Sequence, residues 1–101
     1  MKIFQFACAA IDITPSVGIH MGGYWGRRSG ATHIHDRLMA KALVCELGAE
    51  RVVILTVDLV ALGADAVRAI RMAVTRDTGI AGAAIMICAS HTHAGPLTIP
   101  Y

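Results

Sequence analysis

Long apolar runs are missing from this chain, although 55% of its 101 residues are hydrophobic. No uninterrupted stretch approaches the roughly 18 apolar residues of a transmembrane helix. Charge is also sparse: nine basic and seven acidic residues give a formal net charge of +2. The basic residues are scattered, whereas nucleic-acid-binding surfaces carry clustered positive charge. We therefore expect neither a transmembrane segment nor a nucleic-acid partner.

Cysteine is scarce as well, with Cys8, Cys45 and Cys88 widely spaced in apolar stretches. This pattern is typical of buried thiols in a reducing compartment and argues against a disulfide framework. The apolar N-terminal stretch is short and is interrupted by Gln5, so it favours a first strand over the alternative, a cleaved signal peptide. We expect a cytoplasmic protein, or a secreted one if an upstream signal is missing from this chain.

Hydrophobic spacing predicts four strands and one amphipathic helix. The first strand runs through Ile13, and the others span Leu38–Leu47, Arg51–Val60 and Ala83–Ala89. A tight connection between the second and third strands predicts a β-hairpin. The helix, Ala64–Thr78, is followed by Gly79 as its stop signal. The fold class is α/β, a mixed sheet in which a β-hairpin is followed by a β-α-β unit with parallel strands.

The predicted strands are apolar on both faces, but only one helix is available to cover them. A chain of this length has room for a single compact domain. We therefore expect residues 1–101 to be the N-terminal part of a longer protein. In isolation, the uncovered sheet should aggregate through its apolar surface and its open edge.

Residues 14–36 form a long loop with five glycines and the aromatic pair Tyr24-Trp25. Loops longer than about 12–15 residues are uncommon in compact domains unless they bind something or are disordered. The aromatic pair argues against simple disorder. The functional interpretation is a binding loop, and the alternative is a surface excursion packed around its own Trp25.

The main candidate site is the segment after the fourth strand, where His91 and His93 stand two residues apart. If the extended conformation continues past Ser90, both side chains point to the same side. Imidazole is the commonest side-chain metal ligand, and open α/β sheets bind ligands at the carboxyl ends of their strands. The pattern favours a metal or catalytic site, although two surface histidines without a metal remain the alternative.

Asp58 is a second candidate because a carboxylate in so apolar a strand is costly to bury unpaired. It falls at the same sheet edge as His91, where it could accept the free N–H of a metal-bound imidazole. The alternative is an Asp that bonds a main-chain amide beyond the strand. His20, His33 and His35 lie in the glycine-rich loop, where we expect solvated or structural roles.

Several common templates are absent from the sequence. It has no P-loop, no dinucleotide-binding G-x-G-x-x-G and no G-x-S-x-G nucleophile elbow. Cys88 has no C-x-x-C partner, which leaves a structural zinc knuckle unsupported.

An ordered set of motifs resembles the N-terminal part of the neutral/alkaline, non-lysosomal ceramidase family. The motifs are Asp12-Ile13-Thr14-Pro15, Met21-Gly22-Gly23-Tyr24, Ile34-His35-Asp36 with the strand Ala40-Lys41-Ala42-Leu43-Val44, Asp58-Leu59, and Ser90-His91-Thr92-His93-Ala94-Gly95-Pro96. The last run is the sharpest match. The resemblance covers nearly the whole chain and implies a zinc-dependent amidase that cleaves ceramide into sphingosine and a fatty acid. Residues 1–101 would then be the N-terminal part of its single catalytic domain.

The resemblance also implies roles for individual residues. His91 would be a ligand of Zn²⁺, and His93 would lie beside the metal and stabilise the oxyanion or hold the substrate. Gly22, Gly23 and Tyr24 would form a substrate loop. The family commonly has Ser at the position of Ala94, and it completes its zinc site with a histidine, a glutamate and a tyrosine from later in the chain. The remainder of the protein's own chain would therefore be needed to complete the site.

A different class of function stays open. The chain could be a small non-catalytic α/β module that uses the 14–36 loop and Trp25 to bind a ligand or a partner. Such a module would have no metal requirement. Unfolding with and without a chelator separates the two, because a metal-binding native state gains stability as free metal rises.

Overall fold

The computed structural model describes residues 1–100 and shows a mixed α/β fold. Its elements are strand β1 (Phe4–Asp12), β2 (Met39–Leu47), β3 (Glu50–Val57), helix α1 (Ala64–Thr78), a short 3-10 turn (Gly82–Ala84) and β4 (Ile85–Ala89). The sheet order is β1-β2-β3-β4. The α/β prediction is confirmed, including the hairpin and the β-α-β unit. Tyr101, the last residue of the predicted 1–101 domain, lies outside the described residues.

The pairing of the strands follows from their connections. β1 and β2 pair antiparallel from Phe4 opposite Leu47 to the other end of both strands. β2 and β3 form the predicted hairpin, which turns through Gly48 at φ +62°, a left-handed conformation that suits glycine. The helical crossover returns the chain so that β4 runs parallel to β3.

Helix α1 spans the predicted residues and ends as its sequence indicates. Gly79 adopts the left-handed conformation, and its N–H donates to the Thr75 carbonyl at 2.8 Å. Ile80, the next residue, is buried together with Val53 of β3 and Ile85 of β4. The small core therefore lies between α1 and the β3–β4 half of the sheet.

The edge strand β1 is exposed within residues 1–100, whereas most of β2 is half-buried. All nine residues of β1 are exposed, among them Phe4 at 61% and Phe6 at 69%. The core lies at the β3–β4 end of the sheet, so β1 lacks a covering layer within these residues, which agrees with the expectation for the apolar strands. The helices in the described part of the chain are all too short or too polar to cross a membrane.

Candidate functional site

The loop that the sequence analysis singled out is anchored at both ends. The Ile13 N–H donates to the Leu38 carbonyl at 2.9 Å, and the Leu38 N–H donates to Thr14 Oγ1 at 2.8 Å. These bonds hold the two ends of the loop next to each other, at the start of β2. Thr14 also lowers the pKa of Asp12, because its hydroxyl and its N–H both hydrogen-bond the carboxylate. The Thr14 nitrogen lies 2.8 Å from Asp12 Oδ1.

The middle of the loop is tied to the segment that carries the two candidate histidines. The Gly22 N–H donates to the Gly95 carbonyl at 3.0 Å, and the Leu97 N–H donates to the His20 carbonyl at 2.8 Å. These two bonds join stretches more than 70 residues apart in the chain. The glycine-rich loop and the His-Thr-His segment therefore form one structural unit.

The backbone conformation at His91 differs from the expected one. β4 ends at Ala89, and His91 has φ +62°. This left-handed conformation costs a residue with a Cβ about 1–2 kcal/mol. The prediction required the strand to continue in an extended conformation past Ser90. This condition is not met, because the chain turns at His91. The two rings nevertheless lie close together, with centroids 4.8 Å apart.

Three bonds hold His91 in this conformation. The Ser90 N–H donates to the Val57 carbonyl at 2.9 Å, and the His91 N–H donates to the Leu59 carbonyl at 3.0 Å. The ring atom Nδ1 lies 2.7 Å from the Val60 carbonyl oxygen. A carbonyl can only accept, so Nδ1 carries the proton and Nε2 of the neutral ring keeps its lone pair. The arrangement presents Nε2 as the atom available to bind a cation.

His93 packs against the loop residues predicted to contact substrate. The Tyr24 and His93 rings meet edge to face, with centroids 4.9 Å apart. Gly23 has φ +100°, and a Cβ built there would lie only 2.7 Å from His93 Cγ. Glycine is required at this position both by its conformation and by the closeness of the imidazole. The structure thus brings Gly22, Gly23, Tyr24, His91 and His93 together.

Asp58 lies at the same sheet edge but has a different partner from the predicted one. Its Oδ2 accepts the Met39 N–H at 3.0 Å, and the Asp58 N–H donates to the Met39 carbonyl at 2.9 Å. The hydrogen-bond acceptor for His91 is the Val60 carbonyl instead. Asp58 therefore makes the contact named above as its alternative, a bond to a main-chain amide.

Arg27 is a residue of the site that sequence reasoning missed. Its Nη1 donates to the carbonyls of His93 at 2.8 Å and Gly22 at 3.0 Å, and its guanidinium lies 4.9 Å from the centre of the Tyr24 ring. The sequence held one signal for it, an arginine close to an aromatic pair in a glycine-rich loop. The Val60 carbonyl had no such signal, because main-chain acceptors are the same for every residue type.

A separate pocket of about 380 Å³ lies between the loop and residues 92–96. Its apolar wall includes Val17, Ile19, Met21, Ile34 and Leu38, and His33, His35 and Asp36 add polar groups. Trp25 is 90% exposed, so the loop is not packed around a buried tryptophan. The pocket is the feature that a ligand-binding loop would need.

The residues present can supply only part of a metal site. Within residues 1–100, no group of three or more His, Cys, Asp or Glu side chains is placed to hold a metal ion. A catalytic zinc site has three protein ligands and a water. His91 fits as one such ligand, because a main-chain carbonyl orients its ring in the way that metal-binding imidazoles are commonly oriented.

The fold is similar to one part of known ceramidases. The neutral ceramidase from Pseudomonas aeruginosa matches with a TM-score of 0.80 and 30% sequence identity, over 93% of this chain and 16% of that chain. A ceramidase complexed with C2 matches with a TM-score of 0.74 and 28% identity, over 93% of this chain and 15% of that one. No family model and no curated protein matches the sequence. The chain thus spans 16% or less of the enzymes that its fold resembles.

Proposed function

We propose that this chain is the N-terminal part of the catalytic domain of a zinc-dependent amide hydrolase of the neutral ceramidase type. The observation that carries the proposal is the 2.7 Å bond from His91 Nδ1 to the Val60 carbonyl, which leaves Nε2 as a potential ligand. The similarity to neutral ceramidases over 93% of this chain supports the same assignment. The substrate class that it favours is an N-acyl lipid or another N-acyl amide.

His91 would hold the Zn²⁺ through Nε2, together with ligands from the rest of the protein's chain. Bound zinc would activate water and polarise the scissile carbonyl. His93 lies beside His91, and its ring N–H could donate to the oxygen that becomes negatively charged during hydrolysis. Gly22, Gly23 and Tyr24 would form the wall that holds the amide against these two imidazoles.

Hydrolysis by the full-length protein tests the proposal directly. The purified protein is incubated with a ceramide and with simpler N-acyl amides, and the released amine is measured before and after chelation and after zinc is added back. We expect hydrolysis that is lost with the metal and restored by zinc. Hydrolysis that persists after zinc has been removed to below one ion per hundred molecules would contradict a zinc enzyme.

The alternative, a non-catalytic binding module that uses the 14–36 loop, is favoured by a separate observation. The 380 Å³ pocket has a mainly apolar wall built largely by that loop, and its volume lies in the range of small-molecule sites. A module of this kind would show the same unfolding temperature with and without chelator. A zinc-binding protein would instead gain stability as free zinc rises.

A further inference from the structure

Arg27 contacts three groups at or next to His93: the His93 carbonyl, the Gly22 carbonyl and the Tyr24 ring. Its Nη1 donates to the His93 carbonyl, 66 residues away in the chain, and to the carbonyl of Gly22. The guanidinium also lies over the Tyr24 ring, which itself packs edge to face on the His93 imidazole. One half-buried side chain therefore joins the main chain of His93 to the loop that covers its ring.

The loop needs such a contact because its backbone is costly to order. Gly23 and Gly26 both have positive φ, and glycines lose more conformational freedom on folding than any other residue. Hydrogen bonds from a charged donor are about twice as strong as those between neutral groups. A cation over an aromatic face adds a further attraction that fixes the Tyr24 ring.

We infer that Arg27 is a positioning residue: by bonding the carbonyls of Gly22 and His93 and lying over Tyr24, it holds the His93 imidazole in place for hydrolysis. The catalytic part of this inference rests on the proposed function. Arg27 bonds main-chain atoms on both segments, so its effect on the reaction passes through His93. The neighbouring Arg28 is exposed and offers a matched control.

The first measurement follows the ring contact and does not depend on activity. The full-length protein is labelled with ¹³C in its histidine and tyrosine rings, and the nuclear Overhauser effect between the Tyr24 and His93 rings is recorded. We expect this signal in the wild type and in Arg28→Met. It should disappear in Arg27→Met and be weakened in Arg27→Lys, because an ammonium can bond a carbonyl but lacks the planar face of guanidinium.

The second measurement separates positioning from general stabilisation. Displacing a catalytic group by about 1 Å can cost about 10²-fold in rate. We therefore expect Arg27→Met to lower kcat by about that factor while KM stays within about twofold, and Arg27→Lys to recover part of the loss. Arg28→Met should keep the wild-type kcat. If only KM changed, the lost interaction would bind the substrate and the transition state equally, and Arg27 would not be positioning His93 for the reaction.

The outcomes distinguish this inference from the proposed function. An undiminished Tyr24–His93 signal in Arg27→Met, or an unchanged kcat when the signal is lost, overturns the positioning role. If the wild type hydrolyses no amide, the proposed function fails, and the ring contact alone then decides whether Arg27 holds the loop on His93. If Arg27→Met does not fold, Arg27→Lys provides the same comparison, and a wild-type ring signal with a wild-type kcat in that variant overturns the inference.

Discussion

Two segments of this chain have histidines at the same spacing, and their surroundings differ. His33 bonds the adjacent Thr32 hydroxyl at 3.1 Å, and His35 bonds the adjacent Asp36 at 2.9 Å. The His35 side chain is 86% exposed. Both histidines of the first segment thus find their hydrogen-bond partners one residue away in sequence, and the fold beyond the loop does little to orient them.

The second segment is fixed by distant parts of the chain. His91 bonds the carbonyl of Val60, 31 residues before it, and His93 packs on Tyr24 and against Gly23. The cost of the left-handed backbone at His91 is carried by these long-range contacts. The spacing of two histidines therefore does not by itself identify a binding site. A hydrogen bond to a distant part of the chain, such as that from His91 to the Val60 carbonyl, is what fixes the direction of a ring nitrogen.

The largest expected difference between the two segments is in zinc content. In the full-length protein, His91→Ala should lose bound zinc, because it would remove one of the three protein ligands that we propose for the metal. The control His33→Ala should retain zinc, since His33 bonds only its neighbour among the described residues. Metal analysis of the two purified variants provides the comparison. Equal zinc content in both would contradict the assignment of His91 as a ligand.

Within the second segment, substitution of His91 and of His93 should affect different properties, zinc content and turnover respectively. We expect His93→Ala to retain most of the zinc and to lower turnover by roughly 10²–10³-fold, the usual effect of removing one oxyanion-stabilising group. Zinc content and kcat are measured on the same preparation. Zinc loss as large as in His91→Ala would show that both side chains are ligands.

Much of the fold could be predicted because its signals are local. The 3.6-residue periodicity and Gly79 predicted α1 with its observed bounds, and the tight turn at Gly48 predicted the hairpin. The parallel β3–β4 pair followed from the handedness of the crossover. In each case, the residues that decide the structure lie within one element or its immediate flanks.

The site was harder to predict because its contacts are between distant segments. The His-Thr-His segment could be selected by its residue types, but the turn at His91 and its bond to Val60 depend on backbone positions that have no sequence pattern. The position of Asp58 at this sheet edge could be predicted, but its hydrogen-bond partner could not. The partner is the main-chain amide of Met39, which has no local sequence signal and is brought to Asp58 by the pairing of β2 with β3. Arg27 acts across 66 residues and could not be assigned from spacing.

A smaller effect is expected from a methyl group placed between the loop and His93. Gly23→Ala adds a Cβ 2.7–2.8 Å from three atoms of His93, whereas Gly18→Ala adds one with nothing within 4 Å. Both glycines have φ near +100°, so both variants lose about 1–2 kcal/mol from backbone conformation. Gly23→Ala should lose a further 1–3 kcal/mol or so through overpacking. Urea unfolding of both variants checks this, and equal losses would mean that His93 moves freely.

The smallest effect concerns Asp58 and tests whether a carboxylate supports the second segment. Asp58→Ala leaves the half-buried Met39 N–H without its side-chain acceptor, which should cost about 1–3 kcal/mol locally and speed exchange of that amide. Asp58→Asn keeps an oxygen that can accept the bond and should change exchange little. Because His91 bonds Val60, we expect both variants to retain zinc. Zinc loss in Asp58→Ala but not in Asp58→Asn, at unchanged Met39 exchange, would instead indicate that Asp58 orients the imidazole.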